Sequence, residues 1–219
     1  MTTSKITVLD YGAGNLFSVQ RALEVCGASD ICVSSDPDVI INADRLLLPG
    51  VGAFADGMRG LLERRLDRAI CEFANSGRPL LGICLGMQML ATTSEEFGEH
   101  AGLNLIPGRV SPIPSKDLEG IGLKTPFIGW SHLDCPPDVH WEGGVLESIT
   151  EKQAVYLVHS FQFTPDNQSN MLGTYQYGGH NVTAAVIKDN IVGLQFHPEK
   201  SGKIGLSILS SFLKIRPSS

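Results

Sequence analysis

Residues 80–90 read LLGICLGMQML. An apolar run with the look of a buried strand meets a helical pattern there, and at the junction sit Gly82, Cys84 and Gly86. A cysteine used for packing needs no glycine two residues away on either side. A nucleophile on a tight turn does: the turn strains its backbone, and flanking glycines let neighbouring chain approach without Cβ clashes. Strand, Gly-x-Cys-x-Gly, helix is the cysteine form of the nucleophile elbow. It puts the thiol at the carboxyl edge of a sheet, where open α/β folds bind ligands. The helical spacing predicts a helix over 85–92, whose positive end would face the sulfur and favour thiolate. The Leu85 N–H at that end would be offered to an oxyanion.

The surrounding sequence fits such an edge. Strand-like runs at 5–10, 30–35, 45–49 and 78–84 alternate with helical patterns at 16–26 and 56–75. Near-continuous apolar strands alternating with helices imply a parallel sheet covered on both faces. The second half is richer in proline and glycine, with short strand candidates at 127–131, 153–158, 171–177, 182–187 and 191–196. These read as antiparallel or mixed additions to the same sheet, and a helix over 203–214 closes the chain. The expected fold is α/β: an open, mostly parallel twisted sheet with helices on both faces and antiparallel additions. No linker or repeat divides residues 1–219, so one domain is expected.

A hydrophobic fraction of 42% with 18% charged residues suits a globular core and is too apolar for disorder. The net charge of -6 argues against nucleic acid or an anionic membrane as partner. No apolar run approaches the roughly 18 residues of a membrane span, and the N-terminus lacks a signal-peptide pattern. Five scattered cysteines without a CxxC pair suggest reduced thiols in the cytoplasm. His100, His132, His140 and His180 lack ligand spacing and read as surface or structural residues; neither a metal nor a cofactor is expected.

A thiolate also needs a base. Residues 192–201, VGLQFHPEKS, end a strand with His197-Pro198-Glu199. Proline pushes His197 into an extended conformation. In extended chain residues i and i+2 point the same way, so Glu199 can orient and polarise the imidazole. Nucleophile, base and orienting carboxylate complete a triad in cysteine form. By contrast, GAGNLF (12–17) only imitates a dinucleotide-binding loop, although Asp36 lies at a suggestive distance beyond it. Phe17 stands where the third glycine of that fingerprint allows close helix–strand packing.

GICLGMQ with FHPEKS downstream resembles the class I, triad-type glutamine amidotransferases, and the likeness runs over essentially the whole chain. YGAGNLFSV (11–19), LPGVGAF (48–54), YLVHSF (156–161) and GLQFHPEKS (193–201) resemble one branch, the glutaminase subunits of imidazole glycerol phosphate synthases. The resemblance implies a flavodoxin-like fold and L-glutamine as substrate. Cys84 would attack the side-chain amide, His197 would shuttle the proton to departing ammonia, and Glu199 would hold His197. Gly50, Val51 and Gly52 would run beside the sulfur, with Val51, Gly52 and Leu85 forming the oxyanion hole. Some members need that loop to reorient before the hole is complete. Gln88 would recognise glutamine, and Glu96 with the backbone around His159, Ser160 and Phe161 would hold its amino-acid end.

The partner implied is a (β/α)8-barrel cyclase in a heterodimer, with the first loop, GAGNLF (12–17), near the contact. One departure stands out: the branch usually has GWN where this chain has Gly129-Trp130-Ser131. Paralogues that feed ammonia to amidotransferases of bacterial surface sugars also resemble this chain, so a sugar amidotransferase is the alternative partner. A non-hydrolytic thiol sensor or scaffold on the same fold is a third reading, against which Gln88, His197 and Glu199 stand.

Overall fold

Runs of Val, Ile and Leu buried on both faces become central parallel strands, and here they set the order of the main sheet. The computed structural model describes residues 5–150 and 153–215. In its first half β1 (Lys5–Leu9), β2 (Asp30–Ser34), β3 (Leu46–Leu48) and β4 (Leu80–Ile83) alternate with helices α1 (Leu16–Val25), α2 (Pro37–Ile41), α3 (Phe54–Glu63), α4 (Leu66–Asn75) and α5 (Leu85–Gln88). The second half adds β5 (Thr93–Ser94), β6 (His100–Ala101), β7 (Gly108–Pro112), β8 (Phe127–His132), β9 (Ala154–His159), β10 (Phe161–Pro165), β11 (Met171–Tyr177), β12 (His180–Lys188), β13 (Ile191–Leu194) and α6 (Gly202–Lys214). The seven-stranded main sheet runs β11-β12-β13-β4-β3-β1-β2. From β2 to β13 every pairing is parallel; β12 and β11 extend the sheet antiparallel. Its parallel part has the order of a flavodoxin-like doubly wound sheet.

Alternation along the strands divides the core in two. Ile6, Val8, Leu47, Leu81 and Ile83 pack with α1 and α6 through Val19, Leu23, Ile208 and Phe212. Leu9, Leu46, Leu48 and Leu80 face the other way, toward Ile40, Phe54, Leu61, Ile70 and Phe73 of α2, α3 and α4.

Three expectations need correction. Residues 56–75 do not form one helix: Arg65 takes a left-handed φ of 58° and separates α3 from α4. Twenty helical residues would run about 30 Å, longer than these short strands; the break returns Leu61 and Leu66 to the same core. Helical geometry after Cys84 ends at Gln88, not at Thr92. The Met89, Leu90 and Ala91 carbonyls accept from the N–H groups of Leu103, Leu105 and Asn104, so an incoming loop takes the bonds that would continue the helix. Finally, only β11, β12 and β13 of the later strands join the main sheet. β8 and β9 pair as a separate antiparallel ribbon, and β10-β7-β5-β6 form a second sheet. The short helix α2, unread in the sequence, is capped by Asp36, whose Oδ1 accepts from the Asp38 N–H.

What positions the site is close backbone packing at the ends of β3 and β4. A Cβ on Gly86 would lie 1.9 Å from the Leu48 carbonyl oxygen, and one on Gly82 would lie 2.8 Å from the Gly86 carbonyl oxygen. Both obstacles are backbone and cannot swing aside. Gly86→Ala is therefore expected to cost about 3 kcal/mol of stability. Chemical denaturation measures it, and a loss under about 0.5 kcal/mol would contradict the tight contact.

Candidate active site

At the carboxyl end of β4 the chain turns through Cys84, whose φ of 56° and ψ of −112° lie outside the regions ordinary side chains adopt. Such a conformation costs of order 1–3 kcal/mol and persists only where its surroundings hold it. Here the Cys84 N–H donates to the Leu194 carbonyl at 2.7 Å, and the Gln88 N–H donates back to the Cys84 carbonyl at 3.2 Å. The thiol is thereby lifted off the strand end into a cavity of about 270 Å³. The helix behind it is a single turn, which limits the dipole it can offer the sulfur.

β13 lies beside β4 in parallel register, so the chain leaving it passes the same edge. Pro198 keeps His197 extended, at φ −99° and ψ 97°. The His197 N–H donates to the Tyr156 carbonyl, and Ser201 Oγ, which accepts from the Tyr156 N–H, donates to the His197 carbonyl at 2.7 Å. His197 Nδ1 and Glu199 Oε1 are 2.8 Å apart with both side chains almost wholly buried. The contact comes by another route than the expected extended segment, since Pro198–Lys200 is a turn of 3-10 helix that folds Glu199 back under the ring. Glu199 Oε2 is buried without a hydrogen-bond partner among the described residues.

Burial by itself disfavours the imidazolium. The hydrogen bonds and negative charge of Cys84 and Glu199 outweigh it and raise the His197 pKa to about 9. His159, also on the cavity wall, goes the opposite way. Burial, reinforced by nearby His197 and only partly offset by its bond to the Phe161 carbonyl, lowers its pKa to about 4. One site thus holds an imidazolium-prone histidine and a neutral one, the kind of separation that assigns acid–base roles.

The cavity is lined by Val51, Gly52, Cys84, Leu85, Gln88, Glu96, His159, Ser160, Phe161 and His197, with Val158 beside them. Of the residues singled out in the sequence, Gly50 and Glu199 alone stand behind this wall. The Gly50 carbonyl accepts from the Leu85 N–H at 3.4 Å, so the donor expected to face an oxyanion is occupied. Tyr11 braces this loop: its buried hydroxyl donates to the Pro49 carbonyl at 2.8 Å, and burial, with the negative charge of Cys84 second, pushes its pKa up. Glu96 Oε2 accepts from the Phe54 N–H at 2.6 Å and caps α3, which has no side-chain cap of its own. Gln88 is buried rather than solvated, its Nε2 donating to the Phe161 carbonyl and to Gln195 Oε1. The Ser160 and Phe161 carbonyls are engaged internally, by the Ile113 N–H and by Gln88 with His159.

Gln195 escaped the sequence reading, although the rule that pairs residues i and i+2 of extended chain applies to Gln195 and His197 too. Phe17 is 74% exposed, so it does not block helix–strand packing as expected, and Asp36 Oδ1 caps α2. Ser131 lies on the inward side of its ribbon, while Ile128 and Trp130 face out. Among the described residues no group of three His, Cys, Asp or Glu side chains is gathered as a metal ion would need.

The family model "Glutamine amidotransferase class-I" matches residues 7–215. The chain belongs to the class I glutamine amidotransferase family. Among its relatives, "Imidazole glycerol phosphate synthase subunit HisH 1" of Legionella pneumophila (strain Lens) is 47% identical, covering 97% of this chain and all of that one. The subunit of that name in Geobacter sulfurreducens, HisH, is 45% identical over 95% of this chain and 98% of its own. Solved structures share the class I amidotransferase fold at low identity. A glutamine amidotransferase crystal structure aligns with TM-score 0.68 at 16% identity, covering 96% of this chain and 99% of that chain. PurLQS from Thermotoga maritima aligns with TM-score 0.65 at 20% identity, covering 95% and 97%.

For this class I amidotransferase the pH dependence follows from the triad. Glu199 helps raise the His197 pKa, so Glu199→Gln should lower it and bring the alkaline fall of kcat/KM for glutamate release to lower pH. An alkaline limb that stays in place would contradict the assigned pair. The elbow strain has its own signature: Cys84→Gly should be at least as stable as Cys84→Ala in thermal melts. That reverses the usual order, in which glycine is worse by about 0.5–1 kcal/mol.

Proposed function

We propose that this chain is a glutaminase subunit that hydrolyses L-glutamine to glutamate and ammonia and passes the ammonia to the cyclase subunit of an imidazole glycerol phosphate synthase. The observation that carries the chemistry is the meeting of Cys84, His197 and Glu199 at one cavity whose walls also hold Gln88 and Glu96. The near-full-length likeness to subunits of that synthase supports the pathway.

In this reading the Cys84 thiolate attacks the side-chain amide carbon of glutamine. Negative charge moves to the amide oxygen, where backbone N–H groups of Leu85 and the Val51–Gly52 loop stabilise it. The imidazolium of His197 gives its proton to the departing nitrogen, the C–N bond breaks, and ammonia leaves a γ-glutamyl thioester on Cys84. Neutral His197 then takes a proton from water, whose oxygen attacks the thioester and releases glutamate and the thiolate. Glu199 keeps the ring oriented and stabilises its cationic form throughout. The Glu96 carboxylate lies where an ammonium at the amino-acid end of the substrate gains from a negative charge, and Gln88 contributes to recognition alongside it.

Because the Gly50 carbonyl occupies the Leu85 N–H, the chain alone is a slow catalyst in this reading. Turning the Gly50–Val51 peptide would withdraw that carbonyl and bring the Val51 N–H to the hole. A docked partner supplies both the turn and shelter for the product, since ammonia released into neutral water becomes ammonium and is no longer a nucleophile. The cyclase is a (β/α)8 barrel, and its nucleotide acceptor would yield imidazole glycerol phosphate and aminoimidazole carboxamide ribotide. Exposed Val51 on the cavity wall, with exposed Ile128 paired across the ribbon to Val158 of the same wall, offers apolar contact.

The test is glutamate release from glutamine by this chain, alone and with a cyclase-barrel subunit plus its nucleotide acceptor. Stimulation of tenfold or more, about 1.4 kcal/mol of barrier, is expected with the complete pair. Flat activity with the cyclase and stimulation by a sugar amidotransferase would move the partner to surface-sugar synthesis. Cys84→Ser should abolish glutamine-dependent synthesis yet leave synthesis from added ammonium salts intact. Loss of both activities would mean that assembly, not chemistry, had failed.

A further inference from the structure

Gln195 has no place in the triad, yet its fully buried side chain reaches the nucleophile: Nε2 lies 3.8 Å from Cys84 Sγ. Burying a primary amide is costly unless its groups are bonded. The described residues offer its side chain two side-chain partners, Cys84 and Gln88.

The direction of this amide follows from its neighbours. A backbone carbonyl only accepts, so Gln88 must turn its NH2 toward the Phe161 oxygen, 3.1 Å away. The same NH2 donates to Gln195 Oε1 at 3.0 Å. With its oxygen so held, Gln195 has its NH2 to offer the sulfur. The Phe161 oxygen is fixed in turn from the far side by His159, whose Nδ1 donates to it at 2.8 Å while Nε2 accepts from the Tyr175 hydroxyl at 2.9 Å. Gln88 is thus a double donor, to the Phe161 oxygen on one side and to Gln195 on the other, and from Gln88 donation runs on through Gln195 to Cys84.

A neutral thiol is a weak acceptor and a thiolate a strong one, so an N–H aimed at the sulfur gains more from the anion. We propose that Gln195 stabilises the Cys84 thiolate through its side-chain N–H, and that Gln88 aims that donor. The inference rests on the glutaminase reading and adds to it: the residue that meets substrate also orients the group that prepares the nucleophile. Gln195 differs from His197 in giving no proton away: it acts on the sulfur wherever that atom carries negative charge, before attack and again as the thioester breaks. The titratable groups around the sulfur are His197 with Glu199 behind it, His159 from β9, Tyr11 after β1 and Glu96 across the cavity. None of them is altered in the test.

The purified chain is treated with iodoacetamide across a pH series, and the rate of modification at Cys84 is followed by mass spectrometry of its peptide. Gln195→Met and Gln195→Leu each remove both polar groups and introduce no new titratable group. Each should raise the pH of half-maximal alkylation by about one unit, a tenfold drop in reactive thiolate on the acid side. Gln88→Leu should move it the same way, because the Gln195 amide is then free to rotate. An unchanged midpoint in a Gln195 variant whose thermal melt matches the wild type would overturn the proposal. A shift with Gln195 variants but none with Gln88→Leu would overturn the aiming step. Glutamine turnover is measured on the same proteins with the cyclase present. A wild-type chain without turnover would remove the glutaminase reading even if the alkylation shifts appeared, which separates the two failures.

Discussion

The site depends on a steric constraint: the backbone of the elbow is pressed against the end of β3 so closely that no Cβ fits between them. Gly86 against Leu48 and Gly82 against Gly86 are contacts of chain with chain. They clamp both flanks of Cys84 and hold a non-glycine residue at positive φ, a conformation the cysteine would leave if its neighbours could relax. The energy for the strain comes from the core beneath, where Leu46, Leu48 and Leu80 are buried among α2, α3 and α4. Nothing in the elbow stabilises itself. The same squeeze sets Gly50 beside Leu85, where an added Cβ would meet the Tyr11 hydroxyl, the Leu85 side chain and the Gly86 nitrogen. Cys84 and the Gly50 loop beside it are thus fixed by one packing event.

Electrostatics then assigns roles within that frame. His197 and His159 are both buried at one cavity, but they have different neighbours. His197 faces a thiol and a carboxylate and retains its proton; His159 faces a backbone carbonyl and a tyrosine hydroxyl and stays neutral. A neutral His159 has a fixed tautomer, donating at Nδ1 and accepting at Nε2, and is suited to holding an oxygen in place. A charged His197 is suited to delivering a proton. Burial keeps His159 neutral but works against the imidazolium of His197, whose interactions with Cys84 and Glu199 outweigh it.

Much of this was legible in the sequence. The spacing of Gly82, Cys84 and Gly86 betrayed the elbow because glycine leaves an absence that composition cannot hide, and His197-Pro198-Glu199 betrayed the His197–Glu199 contact, with proline holding His197 extended. The parallel strands were legible because their apolar runs are nearly unbroken. What could not be read is what distant chain does to local preference. The helix after Cys84 stops at Gln88 because residues 103–106 capture its carbonyls, and no pattern within 85–92 records that. Likewise Arg65 breaks a strongly amphipathic run because two short helices fit the sheet better than one long one. The ribbon of β8 and β9 has the alternation of any half-buried strand, and alternation does not say which sheet a strand will join.

Gln195 marks a subtler limit. Its position two residues before His197 was visible, but a glutamine at a strand end has an ordinary meaning until its oxygen is shown to be taken. The amide's direction is settled by Phe161, far away in sequence and on another strand, through Gln88. Preparation of the sulfur, recognition of the substrate and the ribbon leading into His159 therefore share one line of hydrogen bonds. In this scheme a displacement of β9 or β10 by a bound partner would be felt at Phe161 first and, through the shared donor Gln88, at Gln195 and Cys84. In the proposed scheme the Gly50 loop is a second, separate route to the same reaction, acting on the oxygen of the intermediate where the amide line acts on the sulfur. In the proposed scheme two routes of different chemistry thus converge at Cys84, and through them a docked partner would lift the slow hydrolysis of the chain alone.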